Sequence, residues 1–243
     1  MSLAAPGATA DRAFTHTANV VEQIGIAIVA GEYPEQTMIP LDPDLEEMFG
    51  VSRTVVREAK KTLIGKGLLE SKAKVGTRVR ASTDWNMFDP DVLRWHSRLR
   101  NPRRFLDELF EVRLIFEPPA AARVARHAGP AAQEILTRHC DALAGANSRM
   151  AFAMADLEFH KAILHLSGNR FLQSLGDLVQ VALIALLETE TRGGAPKGPE
   201  DLARVAAEHR EIVAAIAARA PTRASEAMSR VIVSGRQDLI LPG

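Results

Sequence analysis

The chain has 243 residues, 47% hydrophobic and 25% charged, with 30 Lys and Arg against 30 Asp and Glu; this is the profile of a globular chain long enough for one large domain or two modest ones. A single cysteine, Cys140, excludes a disulfide framework. No run approaches the ~18 uncharged apolar residues of a membrane span, and the first ten residues lack the basic start of a signal peptide, so a cytoplasmic protein with no membrane contact is expected.

The zero net charge speaks against nucleic acid only until it is divided along the chain. Residues 1–50 hold one cation and eight anions, −7, whereas residues 51–80 hold nine cations and two anions, +7. Residues 1–16 carry no core pattern and are expected to be disordered. Val20, Val21, Ile24, Ile28 and Val29 then recur at helical spacing, and Gly31 closes the helix. Asp42-Pro43-Asp44 reads as an N-cap followed by Pro at the first helical position, with Leu45, Met48 and Phe49 as the apolar face of a short second helix. Gly50 ends it and Ser52 starts a third, whose inward face is Val55, Val56, Ala59, Leu63 and Ile64; Arg53, Thr54, Arg57 and Lys61 fall on its other faces. Two helices about a short glycine turn, cations opening the second, form a helix-turn-helix pattern. Leu68 to Ser71 and Thr77 to Arg80 read as two strands about a turn with Lys74 near its tip, a basic wing. Ser52, Arg53, Thr54, Arg57, Lys74 and the Gly76 backbone are the expected DNA contacts, the cations reaching phosphates or guanine edges.

Glu32-Tyr33-Pro34, Phe49 through Ala59, Gly67-Leu68-Leu69 and Val75 to Val79 resemble the winged helix of GntR-type transcription regulators across residues 17–80. One departure is Pro43, at a position where many relatives carry a DNA-contacting Arg. The resemblance implies a double-stranded DNA operator as partner and a homodimer.

Residues 81–101 read as a linker or docking segment, with Trp85 and Trp95 packing it against a second domain. From 102 to 236 the pattern is helical and broken at Gly129-Pro130, Gly145, Gly168 and Ala220-Pro221, which predicts an all-α antiparallel bundle of about six or seven helices; 237–243 form a tail. The fold class is therefore mainly α, with a small β-hairpin wing. Polar residues on apolar faces mark a candidate site. His209 shares a face with Leu202, Val205, Ile212 and Ile216, and Asp156 and His160 lie one turn apart on another inward face. Such a set either holds a divalent metal or forms an Asp–His hydrogen bond without one. Arg113, on a stripe with Leu106, Leu109, Phe110 and Glu117, is either in an ion pair with Glu117 or Asp156 or is a fork for a ligand carboxylate.

Glu111-Val112-Arg113 with Glu117-Pro118, Asp156 to His160, Ser167-Gly168-Asn169 and Glu208-His209-Arg210 resemble the FCD ligand-binding domain of the FadR subfamily. The resemblance implies metal ligands at Asp156, His160 and His209. A fourth ligand, a histidine in metal-binding members, is replaced here by Val231. Zinc, nickel, manganese or iron suits mixed Asp and His ligands. The Trp85-Asn86 to Trp95 segment is further similar to repressors of sugar-acid catabolism, galactonate in particular, which implies an aldonate effector bound at Arg113. The expected function is a ligand-released repressor, not an enzyme. The alternatives are a metal-dependent enzyme acting on a small hydroxy acid, which lacks a general base beside the site, and an effector-free architectural DNA binder, which leaves Arg113 and His209 without a purpose.

Overall fold

The structure is a computed structural model that describes residues 7–72, 75–176, 178, 180 and 199–240. The chain divides into two compact units, Met1–Leu99 and Arg100–Gly243.

In the first unit, α1 (Gly7–Val29) already runs through most of the stretch expected to be disordered, because nothing between Ala8 and Val29 but Gly25 interrupts it. It buries Val20, Val21, Ile24 and Ile28 against α3 (Arg53–Gly65), whose Val55, Val56, Ala59 and Leu63 face the same core. Ile64, expected to point inward, is exposed, as is Met48 of α2 (Asp42–Phe49). The cap of α2 also differs from expectation. Leu41 occupies the N-cap position, and the Asp44 carboxylate reaches back to accept the Leu41 N–H at 3.1 Å. Asp42 is thereby left for another task. Gly50 ends α2 at φ +61, a left-handed conformation that glycine adopts without strain. β1 (Leu69–Lys72) and β2 (Gly76–Val79) pair antiparallel, with Leu69 opposite Val79. Met38 bridges to Arg78 on the outer side of β2.

The segment expected to be a linker belongs to this unit. After a short turn at Ser82–Asp84 comes α4 (Pro90–Ser97), capped by the Asp89 carboxylate, which accepts from the Asp91 and Val92 N–H groups. Trp95 packs against α1 within this unit. Its ring lies where a side chain on Gly25 would be, since a Cβ there would come within 2.4 Å of it. Its indole N–H donates to Glu22 at 2.8 Å, and Arg94 makes two further bonds to the same carboxylate at 2.6 and 2.8 Å. Lys66, just past α3, bonds Asp89 and Asp91 at 2.8 to 3.0 Å. Burial opposes charge on Lys66, but these two carboxylates outweigh it and raise its pKa.

The elements of the second unit's described residues are helices: α5 (Arg103–His127), α6 (Pro130–Ala144), α7 (Arg149–Leu166), the short α8 (Arg170–Ser174), α9 (Pro199–Ala217) and α10 (Pro221–Ile240). Thus the last helix runs through most of the expected tail. Helix α5 packs on α7, α9 and α10, and α6 packs on α7 and α9. The core joins Leu109, Phe110, Leu136, Phe159, Ile163, Ile212, Ile216 and Met228. Pro118 and Pro119 lie inside α5 and remove two N–H donors from its ladder, one residue after Glu117. No described helix is long and apolar enough to cross a membrane.

Candidate functional site

The basic stretch of the first unit separates into two sets of side chains. Lys60, Lys66, Arg78 and Arg80 are matched within the fold by Asp42, Asp89 with Asp91, Glu70 and Asp84 respectively. Ser52, Arg53, Thr54 and Arg57 instead stand exposed at the N-terminal end of α3, opposite its buried face. Asp42 connects the two sets. One oxygen takes Lys60 Nζ at 2.6 Å and the other lies 3.6 Å from Arg57 Nε. The Lys60 hydrogen bond, working against burial, lowers the Asp42 pKa. Lys60 is buried, a role its charge concealed in the sequence; its aliphatic stem lies in the core while its ammonium bonds Asp42 and the Pro40 carbonyl. Gly76 has φ +130, and a Cβ on it would lie 2.5 Å from the Met38 side chain, so the wing itself requires glycine there. Lys74 lies outside the described residues.

In the second unit, three helices bring five ionisable side chains into an apolar interior. Arg113 and Glu117 of α5, Asp156 and His160 of α7, and His209 of α9 are exposed by 2, 0, 8, 1 and 0%. One ligand atom from each of Asp156, His160 and His209 lies within 4.8 Å of the others. The ring contacts are edge-on, His160 to His209 at 5.5 Å and Phe159 to His209 at 4.8 Å between centroids, so Phe159 forms an apolar wall.

Proton positions follow from the partners. His209 Nδ1 lies 2.8 Å from the Val205 carbonyl, which can only accept, so Nδ1 carries a proton and in the neutral ring Nε2 carries the lone pair. His160 Nδ1 lies 2.5 Å from Glu117 Oε2. Burial opposes charge on Glu117, but Arg113 and His160 hold its carboxyl at about 2, so it is ionised and His160 Nδ1 donates. In the neutral ring, His160 Nε2 then carries the lone pair. These two nitrogens face the two oxygens of Asp156, at 3.1 Å from His209 and 3.9 Å from His160. Burial likewise opposes charge on Asp156, and His160, His209 and Arg113 outweigh it, holding the carboxyl well below the usual range. With both rings neutral, a carboxylate and two imidazole lone pairs converge, and His209 Nε2, buried 3.1 Å from Asp156 Oδ1, has no proton to share with it. Such a donor set fits a divalent cation, and in its absence a proton on one ring.

Of the two readings of Arg113, the ion pair is present: its Nε donates to Glu117 Oε1 at 2.5 Å, and its guanidinium lies 5.2 Å from the Phe110 ring centre. Val231 is buried on α10 and offers no ligand atom. Glu117 is the member of this cluster that the sequence places only beside Arg113. Its inward place one turn from Arg113 was readable, but its contact with His160, 43 residues away on another helix, was not.

Comparison with known proteins agrees with both units. Residues 16–79 match the gntR family of bacterial regulatory proteins, and residues 108–234 match the FCD domain. The chain is similar to the galactonate operon transcriptional repressor of Escherichia coli K12, 30% identical over 92% of this chain and 96% of that one. It is also similar to the HTH-type transcriptional regulator YieP of the same organism, 35% identical over 65% of this chain and 70% of that one. Among solved structures, Lar of Listeria monocytogenes superposes with a TM-score of 0.60 at 15% identity, covering 90% of this chain and 94% of that one, a likeness of fold alone. These relatives are regulators, not enzymes.

Proposed function

Since the chain belongs to the GntR family of bacterial regulatory proteins and carries an FCD domain behind its winged helix, it is a DNA-binding transcription regulator, and we propose that it represses a sugar-acid or organic-acid catabolic operon until an effector releases it. Arg53 and Arg57 read the operator with Ser52 and Thr54, while Lys74 and Gly76 approach the adjacent groove from the wing. One winged helix reads one half-site, so the protein acts as a homodimer on a palindromic operator. This work is done in the cytoplasm, where the DNA is.

Asp156, His160 and His209 hold a divalent cation, zinc first among nickel, manganese and iron. The observation that carries this is the convergence of one ligand atom from each of three buried side chains within 4.8 Å of one another. When bound, the cation would supply a positive centre for effector oxygens, and Val231 offers no fourth ligand atom to compete with them. Arg113 pairs with the effector carboxylate by its fork while Nε stays on Glu117. The galactonate repressor named above makes an aldonate the first effector to try. Release requires only that the effector bind the DNA-free state more tightly than the DNA-bound state.

The test is operator affinity by fluorescence anisotropy, on DNA selected from a random pool, with zinc-loaded protein and a panel of aldonates and simpler hydroxy acids. At least one acid is expected to weaken operator binding by about 5–150-fold, the usual range of such coupling. No shift with any acid would sink the effector reading.

A further inference from the structure

Glu117 has no ligand role in the reading above, yet it is the most buried carboxylate of the second unit's polar cluster, and both of its oxygens are committed. Oε1 accepts from Arg113 Nε and Oε2 accepts from His160 Nδ1, each at 2.5 Å. We infer that Glu117 is the positioning residue of the metal centre: by holding the proton of His160 on Nδ1, it keeps the Nε2 lone pair aimed at Asp156 and His209. The inference rests on the metal site proposed above and deepens it.

The physical argument is one of tautomers. A neutral imidazole has one proton, and the ring nitrogen that carries it cannot bind a metal. In an apolar interior, a ring without an outer partner could carry its proton on Nε2, facing Asp156, where a hydrogen bond would satisfy it. That state closes the site. An ionised carboxylate on Nδ1 decides between the two, since it accepts and cannot donate. His209 is held the same way by the Val205 carbonyl, a backbone group no side-chain substitution removes. Glu117 is thus the mutable one of the two outer contacts. Arg113 completes the arrangement by keeping Glu117 in place on the same helix, one turn away, through the Nε hydrogen bond to Oε1.

The test uses the full chain with zinc as the probe, its affinity measured by competition with a chromophoric chelator. Glu117→Gln keeps the shape but presents an amide that can donate as well as accept. It is expected to weaken zinc binding by about 10–100-fold, the usual effect of removing an outer partner of a metal-bound histidine. Because the substitution also strips Arg113 of its counter-charge, a second measurement needs no variant. Nitrogen-15 NMR of the histidine rings in zinc-loaded wild-type protein is expected to place the proton of His160 on Nδ1 and zinc on Nε2. Zinc affinity within twofold of wild type in folded Glu117→Gln, or zinc on Nδ1 of His160, would overturn the role of Glu117 alone. A wild-type chain that binds no zinc would overturn the metal site beneath it, a different failure seen before any variant is made.

Discussion

The two units treat charge in opposite ways. In the first, most charges lie at or near the surface: Glu22 binds Arg94, and Arg53 and Arg57 project from α3 toward solvent, whereas Lys60 is buried against Asp42. In the second, Arg113, Glu117, Asp156, His160 and His209 are packed into the middle of a helical core. Surface pairs in water contribute little to stability, and their loose cations remain able to engage a polyanion. Buried charges are costly unless matched, and a carboxylate facing two imidazoles in an apolar interior is a candidate position for a ligand. The contrast teaches where each unit's work is done: on the outside of one, on the inside of the other.

The sharpest way to break this contrast is to unmatch a buried charge. Arg113→Met removes the partner of a fully buried carboxylate and is expected to destabilise the second unit by about 3–5 kcal/mol in urea unfolding; a loss below about 1 kcal/mol would mean that the cluster is wetter than its burial implies. A steric counterpart exists in the first unit. Gly25→Val pushes a side chain into the Trp95 ring and is expected to cost about 1–3 kcal/mol, read as a lower thermal midpoint. An exposed cation should behave differently. Arg57→Ala is expected to leave stability within about 0.5 kcal/mol of wild type while weakening operator binding by about 1–3 kcal/mol and flattening its salt dependence. The smallest effect is expected at Glu22→Gln, about 0–1 kcal/mol, since Arg94 and Arg98 are partly solvated. It should also depend on pH. The hydrogen bond from Arg94 lowers the Glu22 pKa below its ordinary 4.5, so the contribution is complete above that value and is lost as pH falls through the lower folded value. A difference between wild type and variant that grows on acidification would contradict the assignment.

Much of this was legible in the sequence because it is local. The period of α3, Gly50 at the end of α2, the wing and the inward faces of α5, α7 and α9 all follow from spacing within a few turns, whereas the meeting of His209 with Asp156 and His160 is implied by the resemblance of their motifs to the FCD domain. What escaped depends on contacts between distant segments. Residues 81–101 read as a linker because the pocket for Trp95 is made by a glycine some seventy positions earlier in the chain. Asp42 read as a cap because its true partner, Lys60, lies on the next helix, and that lysine read as one more exposed cation. Glu117 read only as a neighbour of Arg113 because nothing in a single sequence pairs it with His160.

The central claim is that Asp156, His160 and His209 are a cation site rather than a self-contained hydrogen-bond cluster. Native mass spectrometry of the purified wild-type protein beside His209→Ala tests it most directly. One divalent ion per chain is expected in the wild type and none in the variant; a folded wild-type protein that carries no ion and takes up none from added zinc, or an ion retained by His209→Ala, would contradict it.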